Sequence, residues 1–257
     1  MGLLDGKIAL VAGVANKRSL AWAIARRLAE QGATLVLTYQ GERIEATVRE
    51  LAGSVGCEVC IECDVSSDVS IDKAFAELVE RVGGLDLMAH SIAFAHAHDL
   101  AGRFTDTARD DWRLAMDISA YSLVAMTQRA EPLMEARGGG AIVTMTYLGG
   151  ERAIPGYNVM GVAKAALDAS MRYLAADLGP KNIRVNAISA GPVRTLAARG
   201  IAGFSEMEAV IAERAPLKRG IDADDVGQAG LYLLSPMASS VTGTILYVDA
   251  GYHAMGL

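Results

Sequence analysis

A chain of 257 residues, 52% hydrophobic, 21% charged and 5% aromatic, has enough apolar material for one large α/β domain and too much for a disordered chain. Its formal net charge of −6 excludes a sequence-independent nucleic-acid binder, which needs a basic face to displace counterions. No uncharged apolar run reaches the roughly 18 residues of a membrane span, and the start, Met1-Gly2-Leu3-Leu4-Asp5-Gly6-Lys7, has no signal-peptide organisation, so no membrane association and a cytoplasmic location are expected.

Short β-branched, apolar runs recur at 8–12, 34–39, 58–63, 85–91, 141–146, 183–189 and 244–248. Several are apolar almost throughout, the mark of parallel strands covered on both faces. Helical patterns alternate with them at 20–31, 42–52, 69–82, 111–136, 157–178 and 223–234. Ser19 stands where an N-cap is wanted, and Gly32 and Gly179-Pro180 where helices stop. The β-α order predicts right-handed crossovers and one doubly wound, seven-stranded parallel sheet. With no linker and no internal repeat, residues 1–257 read as a single domain. Residues 193–214 interrupt the rhythm at the carboxyl end of the sixth strand, a position suited to a substrate lid.

The first strand runs into Ala12-Gly13-Val14-Ala15-Asn16-Lys17-Arg18-Ser19-Leu20-Ala21 and then a helix, where a dinucleotide's phosphates would find free amides. The spelling departs from G-x-G-x-x-G: only Gly13 remains, while Ser19 offers a hydroxyl and Ala21 permits close helix packing. At the end of the second strand Gln40 can bond a ribose hydroxyl but brings no charge for a 2′-phosphate, which favours NADH; Arg43 nearby leaves NADPH open. After the third strand Asp64 can accept from an adenine amine and the Val65 backbone can frame the ring; the competing reading is Asp64 capping a short turn.

Cys57, Cys60 and Cys63 are spaced like part of a metal or iron–sulfur site, but the chain has no fourth cysteine. Strand alternation predicts Cys57 and Cys63 on one face and Cys60 on the other, all reduced. Ser91-Ile92-Ala93-Phe94-Ala95 ends the fourth strand with small residues that leave room for ligand. His90 reads as a satisfied core histidine, and His96-Ala97-His98 as loop, because no cluster elsewhere in the sequence completes a metal pair; no metal is expected.

Tyr157 and Lys164 are seven apart on a predicted helix, within roughly 20° of each other about its axis. A phenol beside an ammonium has its phenolate favoured, which suits hydrogen bonding to a developing oxyanion. Such a pair also arises by chance on many helices.

Taken together, Gly13 with Ser19-Leu20-Ala21, Asp64-Val65, His90 to Ala95, Asp117-Ile-Ser-Ala-Tyr121-Ser, Tyr147-Leu-Gly-Gly, Tyr157 to Lys164 and Arg184 to Thr195 carry a resemblance. The chain resembles the short-chain dehydrogenase/reductase superfamily and, within it, the enoyl-[acyl-carrier-protein] reductases of bacterial type II fatty acid synthesis. It departs from ordinary superfamily members at the phosphate turn, at Ser91-Ile92-Ala93, and at Met160, which stands four before Lys164 in place of tyrosine. The enoyl reductases share all three departures. The shift of tyrosine has a rationale: in an enoyl thioester the oxygen to be stabilised lies two carbons beyond the carbon receiving hydride, and three helical residues span about 4.5 Å.

The resemblance implies a Rossmann-type fold, NADH as cofactor, enoyl-acyl carrier protein as substrate and a homotetramer. It implies Tyr147, Tyr157 and Lys164 as catalytic residues, with Ala95 and the two tyrosines against substrate. Gly13, Ser19, Leu20, Gln40, Asp64, Val65, Ser91, Ile92, Lys164, Val193, Arg194, Thr195, Leu196 and Ala197 would hold the cofactor. Arg194 and Arg199 are the nearest cations for docking an acidic carrier protein. A carbonyl-reducing dehydrogenase is the rival on the same scaffold.

Overall fold

The computed structural model describes residues 2–195 and 204–256. Its strands are β1 (Ile8–Ala12), β2 (Thr34–Tyr39), β3 (Val59–Glu62), β4 (Leu87–His90), β5 (Gly140–Thr146), β6 (Ile183–Ala190) and β7 (Ile245–Val248). All pair in parallel in the order β3-β2-β1-β4-β5-β6-β7. The helices are α1 (Leu20–Glu30), α2 (Glu42–Ser54), α3 (Asp68–Val82), α4 (Ala97–Leu100), α5 (Arg109–Met116), α6 (Ser122–Ala136), α7 (Asn158–Leu178), α8 (Phe204–Arg214) and α9 (Ala223–Leu234). The doubly wound, Rossmann-type sheet expected from the alternation is the one observed.

Strand alternation divides the core in two. Ile8, Leu10 and Ala12 pack with Ile71 and Phe75 of α3, Leu123 and Met126 of α6 and Leu167 of α7. Ala9 and Val11 pack with Ile24 and Leu28 of α1, Val48 of α2 and Val226 and Leu233 of α9. Helices α1 and α9 approach closely because Gly227 and Gly230 lack side chains: a Cβ there would come 2.8 Å from the Ala23 carbonyl oxygen and 2.8 Å from Ile24. At the other end of the sheet the buried Asp86 carboxylate accepts from Lys7 Nζ, the Ile8 amide and Arg137 Nε at 2.8 to 2.9 Å, tying β1, β4 and the end of α6 together.

Strand order reverses between β1 and β4, so the chain leaves their carboxyl ends towards opposite faces of the sheet and opens a crevice there. Among the described residues no helix is long and apolar enough to cross a membrane.

Two expectations change. The helix expected over 111–136 is interrupted: α5 gives way to a π-helical turn at Asp117–Tyr121 before α6 resumes. Ser119 explains it, since its hydroxyl accepts from the Phe94 amide at 2.9 Å and donates to the Phe94 carbonyl at 3.0 Å, a tertiary bond that local periodicity does not encode. The interruption expected over 193–214 carries no strand among its described residues and includes helix α8, while 196–203 lies outside the described residues. The cysteine faces also differ. Cys57 and Cys60 share one core and Cys63 lies in the other, because Cys57 precedes the start of β3 and escapes its alternation.

Candidate functional site

The crevice is floored by the β1 and β4 ends. Gly13 has φ +103° and a Cβ on it would fall 2.0 Å from the Ser91 carbonyl oxygen, so only glycine brings the two strand ends together there. The Ser91 amide completes the contact by donating to Ala12 O at 3.0 Å. Ser19 is the N-cap of α1 by position, but its hydroxyl turns away from the helix and accepts from the Ala15 and Asn16 amides at 3.1 Å each. That holds the turn in shape and leaves the hydroxyl's own hydrogen available. No acidic residue occupies the first turn of α1, and Lys17 and Arg18 are exposed beside it. This donor set, a helix N-terminus with a hydroxyl and two cations, fits the phosphates of a dinucleotide. Leu20 packs partly into the core behind the turn.

Gln40 is exposed just beyond β2. Asp64 accepts from the Ser66 amide at 3.0 Å and the Ser66 hydroxyl at 2.7 Å, the short turn that the competing sequence reading anticipated. Burial works to raise the Asp64 carboxyl, but hydrogen bonds from Ser66 and Gln40 outweigh it and hold the group below its ordinary value. Gln40 and Asp64 are thus neighbours across the β2 and β3 ends. Val65 buries its side chain in the core, and Ile92 is half-buried against the same core.

Tyr147 follows β5, and Tyr157 is the residue before α7 rather than a member of it; its carbonyl already accepts the Gly161 amide at 3.3 Å. The two rings meet edge to face with centroids 4.9 Å apart. Burial pushes the Tyr147 hydroxyl up to about 12 and Tyr157 further up, with Tyr252 and Tyr147 adding to the respective shifts. The expected bias towards phenolate is therefore reversed: desolvation wins, and Tyr157 is a neutral phenol, a donor. Lys164 is buried, donates to the Met145 carbonyl at 2.7 Å, and is pushed down to about 8 by burial, with Asp168 acting in the opposite sense. Burial also raises the Asp168 carboxyl, whose Oδ1 has no hydrogen-bond partner among the described residues.

His90 is fully buried, with Nδ1 2.9 Å from Thr144 Oγ1 and Nε2 2.8 Å from Ser122 Oγ. The Ser122 hydroxyl donates to Ile118 O at 2.7 Å, which assigns the ring proton to Nε2 and makes Thr144 a donor to Nδ1. Burial, with Lys164 adding to it, lowers its pKa to about 3, so the ring is neutral and structural.

Ala95 is half-buried at the start of the segment leading into α4. The chain after β6 carries Val193, Arg194 and Thr195, where the Thr195 amide donates to Val193 O at 2.7 Å. Arg194 pairs with Glu208 of α8 through Nη2 at 2.7 Å. Leu196, Ala197 and Arg199 lie outside the described residues.

Sequence reasoning missed three supports. Met145 acts through its carbonyl and leaves no side-chain signal. Asp168, four residues after Lys164, was open to an i,i+4 reading. Gly149 sits beneath both tyrosines, where a Cβ would come 2.5 Å from Tyr157 and 3.1 Å from Tyr147.

A parallel sheet with a phosphate-type turn at its switch point, and a half-buried tyrosine and a buried lysine beside it, defines a dinucleotide-binding α/β protein of the reductase class. Residues 13–253 match the family model described as Enoyl-(Acyl carrier protein) reductase, and the chain belongs to that family. It is 52% identical over 252 residues to the enoyl-[acyl-carrier-protein] reductase [NADH] of Bacillus subtilis, covering 97% of each chain. It superposes on the crystal structure of the Bacillus cereus enoyl-acyl carrier protein reductase with NADP+ and indole naphthyridinone at a TM-score of 0.97, with 50% identity and full coverage of both chains. The Anaplasma phagocytophilum enoyl-(acyl-carrier-protein) reductase in complex with NAD gives 0.96 at 47% identity, covering 100% of this chain and 97% of that one.

Proposed function

We propose that this chain, as one catalytic unit over residues 1–257, is an NADH-dependent enoyl-[acyl-carrier-protein] reductase that saturates the trans-2 double bond of enoyl thioesters in type II fatty acid synthesis. The observation that carries the reading is the half-buried, edge-to-face Tyr147–Tyr157 pair with Met160, not tyrosine, four before Lys164. Relatives near 50% identity named as NADH enoyl reductases support it. Bound NADH supplies the hydride that the β-carbon receives. Tyr157, a neutral phenol, donates its hydrogen bond to the thioester carbonyl oxygen as enolate charge builds there, and the enolate then takes a solvent-derived proton at its α-carbon to complete the saturation. Lys164 places a positive charge beside that centre and holds the ribose hydroxyls. Tyr147 and Ala95 line the acyl site. Gly13, Ser19, Leu20, Gln40, Asp64, Val65, Ser91, Ile92 and 193–195 form the cofactor groove.

NADH is favoured over NADPH because Gln40 brings no charge to a 2′-phosphate, although the solved relatives include one with NADP+ and one with NAD. The carrier protein docks near Arg194, which must open its pair with Glu208 to do so. A cytoplasmic homotetramer is the working assembly; Val69, Tyr173 and Met237 are more than 60% exposed apolar surfaces that association would cover. Steady-state rates with 2-enoyl thioesters on carrier protein and on coenzyme A, with both nicotinamides and simple ketones as comparators, test the reading. Turnover of ketones but not crotonyl thioester would assign the chain to the carbonyl-reducing class instead.

A further inference from the structure

We propose that His98, Asp99 and Asp111 form a binding site for one divalent first-row transition metal ion, with zinc as the best-matched occupant. The sequence argued against a metal here because His96-Ala97-His98 had no completing ligand. The fold brings one from 13 residues away: His98 Nε2 lies 3.3 Å from Asp111 Oδ2 and 3.5 Å from Asp99 Oδ1. One ligand atom from each of the three residues lies within 4.8 Å of the others. Tetrahedral ligands about 2.0–2.1 Å from zinc stand about 3.3 Å apart, so the two distances from His98 Nε2 already match an ion's first coordination sphere.

Ion pairing alone leaves the arrangement incomplete. The Asp99 side chain is 3% exposed, yet its Oδ2 has no hydrogen-bond partner among the described residues. A buried carboxylate oxygen without a partner is costly, and one imidazole cannot serve two carboxylates through a single nitrogen. A cation held by His98 Nε2, Asp99 Oδ1 and Asp111 Oδ2 would neutralise both carboxylates at once. His96 stays outside the ligand set: its ring stacks on His98 with centroids 5.3 Å apart and its Nε2 is 3.9 Å from Asp111 Oδ1, which leaves the fourth position to water. Access is open, since the His98 side chain is 69% exposed. Imidazole with carboxylate selects zinc and its neighbours over magnesium or calcium, which prefer all-oxygen shells.

The site lies outside the reductase machinery but braces it. Ala95 immediately precedes His96, and Asn158, next to Tyr157, donates through Nδ2 to Ala101 O and Gly102 O at 3.3 Å. An ion on α4 and α5 thus fastens the segment that links the two.

Untagged protein, stripped with chelator and titrated with zinc chloride by calorimetry, tests the site. One ion per chain is expected, with a rise in Tm and a visible tetrahedral absorption band when cobalt replaces zinc. His98→Ala and Asp111→Asn, both at accessible positions, should each weaken zinc binding by about 100-fold or more while keeping the metal-free Tm. His253→Ala, which removes the other histidine–aspartate pair, should leave binding unchanged. No uptake at tens of micromolar zinc, or uptake insensitive to both ligand variants, overturns the proposal. Neither result bears on the reductase assignment, which the thioester assay decides.

Discussion

Tyr147 and Tyr157 meet over Gly149, with ring centroids 4.9 Å apart and planes inclined by 71°. Desolvation keeps both phenols neutral, which makes the pair a hydrogen-bond donor site and not a phenolate base. Removing the Tyr157 hydroxyl as Tyr157→Phe should lower kcat for crotonyl thioester by about 100-fold or more, as loss of an oxyanion donor does elsewhere, and leave the NADH Kd within about twofold. Stopped-flow turnover and fluorescence titration separate the two. An unchanged kcat would remove Tyr157 from the reaction.

Lys164 titrates where an enzyme can be assayed. Its ammonium is charged at neutral pH and loses its proton as pH rises through about 8. The kcat/KM for NADH should fall across that range, and Lys164→Arg, permanently charged, should flatten the limb even if its absolute rate is lower. Stability moves the other way. The unfolded lysine keeps its proton to about 10.5, so between about 8 and 10.5 the unfolded state binds more protons and this group's contribution to stability rises with pH. A rate that falls while Tm holds or climbs would therefore distinguish titration of Lys164 from alkaline unfolding.

Gly13→Ala should damage both fold and cofactor binding. The residue's φ of +103° and the 2.0 Å approach of a Cβ to Ser91 O force the β1 and β4 ends apart. Backbone conformation alone costs about 1–3 kcal/mol, and for a chain of this size each kcal/mol lowers Tm by about 2–4 °C. Calorimetry should show at least that fall, together with a KM for NADH raised at least tenfold.

Gln40→Arg tests the cofactor choice. Gln40 neighbours Asp64 at the ends of β2 and β3, and a guanidinium there can meet a 2′-phosphate. A hydrogen bond to a charged group contributes about 1.5–3 kcal/mol, so the NADPH to NADH ratio of kcat/KM should rise about tenfold or more. A ratio that does not move would place the 2′ position elsewhere.

What could be read from the chain alone was whatever local physics writes into neighbouring residues. Buried parallel strands must be apolar nearly throughout, so 8–12 and 34–39 coincide with β1 and β2 residue for residue, and the β-α alternation dictated the doubly wound sheet. The turn at Gly13 was legible because a turn is a short-range property, whereas Tyr157, expected on one helix with Lys164, stands just before α7. Only the tertiary structure decided the rest. The π-helical turn at Asp117–Tyr121 exists because Ser119 bonds Phe94, and the cysteine faces follow from where β3 begins. Lys164 answers to a carbonyl 19 residues away, and His98 to a carboxylate 13 residues away. Burial also reversed the expected phenolate bias at Tyr157, because the cost of desolvating a charge is set by everything packed around it and by nothing in the spacing of two residues.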